Sequence, residues 1–364
     1  MQEQENNGSL GAPVIYPQSA VTFGLVFCLA FILLGIVGNV FTVAALLRNR
    51  KLRSAPTSIF IISLSITDLI FCTFNLPITA VRYAHQKWVL GGMLCRLFPF
   101  FFYLNVAASL FNMTAITINR YTLIAHYTKY DRIYKLTNVG LMIAACWFFP
   151  LCLLAPTLVE VWGRFGYAPE TFSCTVLDDE HGRSPKKIFF IIGFFLPVVV
   201  ISLCYTRIYC VVKTSRMTMA QHIGKKSTTS QMDEKALTRM VLIIFCAFLV
   251  CYLPLMAVNV FDDNDSMPAL HVFASVLAWS ASVINPFIYG FMSSRYRQAY
   301  LSIMPCGHWF STESHLSGSG SSTSGVRASS MLITSVRMTD SVIQMSALEA
   351  RVNGLNQQNK AAAI

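Results

Sequence analysis

The sequence predicts an all-α membrane protein, a bundle of seven transmembrane helices with a short amphipathic helix on the membrane surface after the seventh crossing. Three observations predict it. The 364 residues are 54% hydrophobic and only 12% charged, against about 25% charged in soluble domains. Seven apolar runs, roughly 20–47, 57–81, 92–125, 137–159, 187–212, 237–261 and 268–292, are each long enough to cross a bilayer as a helix. Basic residues cluster in short connections between those runs, as positively charged cytoplasmic loops do. The net charge of +11 would otherwise suggest nucleic acid, but no DNA- or RNA-binding motif accompanies it.

The chain then divides into four parts. Residues 1–19 contain Glu3 and Glu5 and no Lys or Arg, whereas the first connection holds Arg48, Arg50, Lys51 and Arg53. This asymmetry predicts an extracellular amino-terminal tail at 1–19. No cleavable signal peptide is expected, because the first twenty residues are polar and the first apolar run is long enough to span. Asn7-Gly8-Ser9 then becomes an outside glycosylation sequon. Asn264-Asp265-Ser266 lies close to the membrane, and Asn112-Met113-Thr114 falls within the third run.

The second part is the seven-crossing domain, 20–292. Lys129, Arg132 and Lys135 lie in the second inner loop, and Lys213, Arg216, Lys225 and Lys226 in the third. Asp262, Asp263 and Asp265 make the third outer loop acidic, while the second outer loop is mixed. The third part, 293–305, is basic and amphipathic from Ser293 to Tyr300 and reads as the surface helix. The fourth, 306–364, is a Ser/Thr/Gly-rich cytoplasmic tail expected to be disordered and open to phosphorylation. Cys306 is a candidate for lipid attachment and equally a plain free thiol.

Polar residues inside the crossings carry the chemistry. The run Leu97 to Ile118 has no charge, and then Asn119-Arg120-Tyr121 follows. Arg120 is 25 residues beyond Cys95, or roughly 37 Å of helix. The two residues therefore belong at opposite faces of the membrane. Arg120 could simply snorkel to headgroups. Asp68 is the one acid deep in any crossing, about 16 Å from the inner face. An unpaired charge there is costly. Asp68 is either a protonated structural side chain or the centre of a cation or polar network with Asn39, Asn105, Ser109, Ser282 and Asn285. Pro77, Pro156, Pro197, Pro254 and Pro286 permit kinks. Asn285 can satisfy carbonyls freed by Pro286, with Tyr289 on a similar face, and Tyr252 sits just before Pro254. These kinked helices are either moving parts or ordinary packing.

Together these residues resemble the rhodopsin-like G-protein-coupled receptors over about residues 20–305. The landmarks occur one set per crossing: Gly38-Asn39-Val40; Leu64 with Asp68; Cys95 and Asn119-Arg120-Tyr121; Trp147; Pro197 and Tyr205; Cys251-Tyr252-Leu253-Pro254; Asn285-Pro286 with Tyr289. The resemblance implies a disulfide between Cys95 and Cys174. It implies that Arg120 is held inward at rest, facing Glu234, and is released to meet a heterotrimeric G protein on activation, with Tyr205 and Tyr289 swinging towards it. It also implies an allosteric sodium ion at Asp68, Ser109 and Asn285, helped by Asn105 and Ser282. Arrestin and receptor kinases would act on the tail. Two departures stand out. Asn119 replaces the usual acid before Arg120, so the arginine should lean more on Glu234. Tyr252 replaces the usual Trp before Leu253-Pro254.

The Asn-Arg-Tyr variant, Ile124-Ala125-His126 and Cys174-Thr175 are similar to the insect Trapped-in-endoderm and Moody receptors, distant relatives of melatonin receptors. That likeness implies a plasma-membrane receptor in guided cell migration, cell polarity or epithelial barrier organisation. The ligand is read mainly by exclusion. No Asp or Glu between Leu97 and Ile118 can hold a monoamine, and no Lys in 268–292 can form a retinal Schiff base. Arg82, Phe98, Phe102, Asn259, His271 and Trp279 are expected around an apolar pocket with few polar anchors. Arg82 either pairs with a carboxylate or phosphate or snorkels at the rim. An amphipathic lipid or other apolar ligand is expected, with a peptide as the second reading. A transporter should show repeated halves and several intramembrane charges; the sequence has no repeat and one deep acid. A membrane hydrolase needs a catalytic constellation. His85, His126, His181, His222, His271, His308 and His315 are scattered without metal-ligand spacing, so neither an enzyme nor a cofactor other than sodium is expected.

Overall fold

The structure, a computed structural model, describes residues 16–219, 228–261 and 267–303, with the backbone alone at 170, 214–219, 228–233 and 259–261. The calls on Asn7, Asn264 and Cys306, and on the tail from 306 onward, lie outside the described residues.

Among the described residues, seven helices are long and apolar enough to cross a membrane. Helix α1 is Gln18–Arg48. A single turn, Arg50–Arg53, reverses the chain; the Asn49 side chain caps it by accepting from Lys51 N (3.1 Å) and Leu52 N (3.3 Å). Helix α2 is Pro56–His85, with Pro56 in its first turn, where a missing N–H is harmless. It ends at Gln86, which takes a left-handed φ of 49°. Helix α3 is Gly91–Ala125 and α4 is Leu136–Leu158, joined through a short helix Tyr127–Ile133. An antiparallel pair follows, β1 Arg164–Ala168 and β2 Ser173–Leu177, with Tyr167 opposite Cys174.

Helix α5 runs as Lys186–Phe190, a π turn Ile191–Phe195, and Leu196–Met219. Helix α6 is Thr228–Phe261, α7 is Pro268–Met292 and α8 is Ser294–Ile303. The largest departures from the predicted runs are in α5 and α6, whose helices continue past the apolar stretch into polar sequence. Hydropathy marks what enters lipid, not where helical hydrogen bonding stops.

Two features were invisible to an apolar-run reading. One is the β-hairpin between α4 and α5. The other is a pair of π turns, Phe71–Asn75 in α2 and Ile191–Phe195 in α5, each just ahead of a proline, Pro77 and Pro197. A wider i→i+5 turn absorbs the hydrogen bond the proline cannot make.

Helix α3 runs through the interior, with buried residues from Cys95 to Thr122. Helices α1 and α4 sit at the periphery and leave Leu33, Leu141 and Phe148 about two-thirds exposed. Side chains like these cost free energy in water and none in lipid tails. The largest buried cluster joins α2, α3, α5, α6 and α7 around Leu64, Leu110, Ile116, Met240, Ile244 and Tyr289. Gly38 lets α1 approach the α7 kink, since a Cβ there would lie 3.1 Å from Pro286 Cγ. That approach brings Asn39 Nδ2 to the Ser282 carbonyl at 2.9 Å.

Candidate functional site

Three polar sites lie along the bundle. At one end the Cys95–Cys174 disulfide ties β2 to the start of α3, with the two Cα atoms 5.3 Å apart. Beside it lies a cavity of about 1270 Å³. Of the residues expected there, Arg82, Phe98, Phe102, His271 and Trp279 line it; the side chain of Asn259, on α6, lies outside the described residues. Tyr83 packs edge-on against Trp279 (5.7 Å) and Phe172 (5.5 Å). Arg82 donates from Nη1 to the Thr171 carbonyl (3.2 Å) and lies over the rings of Tyr83 (4.8 Å) and Phe172 (5.5 Å). Its Nε is buried without a hydrogen-bond partner.

Among the described residues that line the cavity none is Asp or Glu, whereas Lys186 and Lys187 join Arg82 there. Sequence reading placed those lysines in a mixed loop and missed them; their position at the very start of an apolar run was the available signal. Tyr252 also lines the cavity and stacks on Phe248 at 4.3 Å. The Trp-to-Tyr departure thus lies on the cavity wall, two residues before Pro254 of α6.

The second site is at mid-bundle. Asp68 is buried and accepts from Asn285 Nδ2 at 2.9 Å, with Ser282 on the same carboxylate. Asn285 is thereby spent on Asp68 and not on carbonyls near Pro286. Two expected partners direct their hydrogen bonds elsewhere. Ser109 donates to Thr67 Oγ1 (3.0 Å), and Asn105 donates to the Phe101 carbonyl (2.8 Å). Carbonyls and hydroxyls nearby compete successfully for short polar side chains within helices. Asn105 Oδ1, Asn39 Oδ1 and Tyr289 OH remain buried without a protein partner.

The third site is at the other end of α3. Arg120 is 3% exposed, so it does not snorkel. Its Nη1 meets Glu234 Oε2 at 2.7 Å across to α6. Its Nε and Nη2 donate to Asn119 Oδ1 at 3.2 and 2.8 Å, and Nη2 also donates to Thr57 Oγ1. Asn119 Oδ1 accepts from Thr57 Oγ1 (2.8 Å), and its Nδ2 donates to Tyr130 OH (3.0 Å). Thr57 and Tyr130 were missed, because neither type in isolation signals a partner for a distant arginine.

Glu234 bonds a second cation: Arg295 Nη1 of α8 lies 3.1 Å from Oε1. Tyr121 points away and meets His126 Nε2 at 3.4 Å. Tyr205 OH donates to the Thr238 carbonyl at 3.5 Å; neither it nor Tyr289 hydrogen-bonds Arg120.

A buried Arg on the third of seven crossing helices, tied to an acid on the sixth, can now be set beside known proteins. A family described as "7 transmembrane receptor (rhodopsin family)" matches residues 38–289. The chain belongs to the rhodopsin family of seven-transmembrane receptors.

Among its relatives, Protein trapped in endoderm-1 of Drosophila melanogaster is 43% identical over 310 residues, covering 79% of each chain. The G-protein coupled receptor moody of the same fly is 35% identical over 351 residues, 80% of this chain but only 52% of that one. Human Melatonin receptor type 1B is more distant, 31% identical over 276 residues and 74% of each chain. Squid rhodopsin has the same fold at 21% identity, with a TM-score of 0.71 over 86% of this chain and 90% of that one. The protein is thus a multi-pass plasma-membrane receptor of a family that acts through heterotrimeric G proteins, and it is not an enzyme.

Proposed function

We propose that this receptor binds an extracellular ligand in the cavity beside Cys95–Cys174 and passes the signal to a G protein at the Arg120 end. The observation that carries this reading is the buried Arg120, held by Glu234 across α3 and α6. In this reading the amino-terminal tail and hairpin face outward, and α8 and the carboxyl-terminal tail face the cytoplasm. Outward movement of α6 would free Arg120 for the G protein. Tyr205 and Tyr289 would then turn towards it. Receptor kinases and arrestin would act on the Ser/Thr-rich tail.

The ligand we propose is amphipathic and largely apolar, with one anionic group held by Arg82. The aromatic lining and the cationic set of Arg82, Lys186 and Lys187, with no acid among the described lining residues, support it. The exposed Lys186 and Lys187 favour the second reading, a peptide with an acidic end.

An allosteric sodium ion fits the mid-bundle site. Asp68 is a buried carboxylate with only neutral hydrogen-bonding neighbours in Asn285 and Ser282. Asp68, Ser109 and Ser282 are the oxygen ligands a hard cation requires, with Asn105 and Asn39 within the same polar layer. Bound there, the ion would supply the positive charge that balances Asp68 in the resting receptor. A role in guided migration, cell polarity or barrier organisation rests on the resemblance to the Trapped-in-endoderm and Moody receptors.

The test needs no ligand. Wild type and Arg120→Ala are expressed at equal surface level, and dissociation of each G-protein class is recorded. Basal activity present in wild type and lost in Arg120→Ala supports the reading. Equal activity in the two removes Arg120 from the coupling step.

A further inference from the structure

We propose that Arg295 is a third member of the resting-state restraint, tethering α8 to α6 through the same carboxylate that holds Arg120. The inference rests on the receptor reading above.

The geometry is specific. Each oxygen of Glu234 has its own guanidinium, Arg120 Nη1 on Oε2 at 2.7 Å and Arg295 Nη1 on Oε1 at 3.1 Å. One acid therefore joins three elements, α3, α6 and α8. The chain places Arg295 there by two devices. Ser293 breaks α7 in extended backbone (φ −126°, ψ 116°), so that α8 leaves in a new direction. Tyr296 and Tyr300 then pin α8 to the bundle. Tyr296 OH meets Ser58 Oγ at 3.2 Å, and Tyr300 OH meets Thr42 Oγ1 at 2.8 Å. With α8 fixed on α1 and α2, Arg295 is a stationary cation and Glu234 is the moving partner.

Charge accounting gives the sign. Asn119 leaves Arg120 without an acid beside it on its own helix, so among the described side chains the cluster of Arg120, Arg295 and Glu234 holds two cations and one anion. Repulsion between Arg120 and Arg295 persists whether or not α6 is in place, because both belong to elements that stay. Attraction of each to Glu234 exists only while α6 is closed. Both pairs therefore favour the closed state, and repulsion between the two cations cancels neither.

Glu234 and Arg295 are each over a third exposed, so the tether should have the modest strength of a surface pair, about two- to fivefold in the open–closed equilibrium. Surface-matched wild type, Arg295→Gln, Arg295→Lys, Glu234→Gln and the Arg295→Gln/Glu234→Gln double variant are compared for ligand-free G-protein dissociation. Arg295→Gln should raise basal activity about two- to fivefold. Arg295→Lys, which keeps the charge, should stay near wild type. The double variant should match Glu234→Gln alone, because both substitutions remove one contact. Glu234→Gln raising activity while Arg295→Gln leaves it at the wild-type level overturns the tether and spares the receptor reading. Additive effects in the double variant overturn it too. If no variant, Glu234→Gln included, signals through any G-protein class, the receptor reading fails and takes the tether with it. Raising salt should mimic Arg295→Gln in wild-type membranes and have a smaller effect in the variant; equal salt effects in both would also sink the proposal.

Discussion

Arg82 and Arg120 are the same residue type near opposite ends of one bundle, and the fold treats them differently. Arg120 finds Glu234, Asn119 and Thr57, so each of its three nitrogens has a protein acceptor. Arg82 finds one backbone carbonyl and two aromatic faces, and its Nε has no protein partner. A satisfied buried cation is a lock that the protein keeps closed by itself. An under-satisfied cation, in a cavity whose described lining residues include no acid, is what the proposed anionic anchor would require. Buried polar groups are normally paired, so the contrast fits the proposed division into a transmitting end and a receiving end.

Breaking the framework of the receiving end should have the largest effect. Cys174→Ser frees β2 from α3, and loss of such a bond typically costs about 2–5 kcal/mol. Surface labelling of intact cells should fall to near background; wild-type surface levels would show that the hairpin is held without the bond. Next comes Arg82→Ala. A charge-assisted hydrogen bond contributes about 1.5–3 kcal/mol, or roughly 10- to 150-fold in affinity. The potency of an anionic agonist should fall by that order while a neutral analogue is spared, and equal shifts for both would remove the anionic anchor.

At mid-bundle, replacing potassium by sodium in wild-type membranes should lower basal nucleotide exchange. Asp68→Asn should abolish that response; a sodium response surviving in Asp68→Asn would place the ion elsewhere. The smallest effect belongs to Asn119→Asp. Exchanging a neutral acceptor for a charged one adds about 1–1.5 kcal/mol to the hold on Arg120. Basal signalling should drop several-fold, and unchanged basal signalling would show that Asn119 is not what loosens the lock.

The two ends also differ in how far the sequence revealed them. At the Arg120 end the pairing with Glu234 was legible only through the family resemblance, because Glu234 lies in polar sequence between Asp233 and Lys235. Thr57 and Tyr130 were not, since hydroxyl side chains of those types occur throughout the chain. Arg295 was read as part of a basic surface helix, which its local sequence supports. Only the turn at Ser293 sends it to α6 instead of to lipid headgroups.

At the receiving end the disulfide and the aromatic lining were legible, and the arrangement of charge was not. Lys186 and Lys187 border the cavity because α5 begins under the hairpin, a tertiary fact with no local signature. The π turns, which shift the register of the outer halves of α2 and α5, are hidden for the same reason: π and α turns use the same residue types. The seven crossings needed no tertiary information, because lipid requires every backbone group to be bonded within its own helix.

The most direct test of the lock is ligand-free G-protein dissociation for wild type and Glu234→Gln, each with and without Arg120→Ala, at matched surface level. Glu234→Gln should signal well above wild type, because Arg120 then loses its one acidic partner. It should gain more than an exposed pair's ~0–1 kcal/mol and less than the ~3–5 kcal/mol of a fully buried one. Adding Arg120→Ala should abolish that signal. Glu234→Gln at the wild-type level, or full signalling without Arg120, would contradict the account.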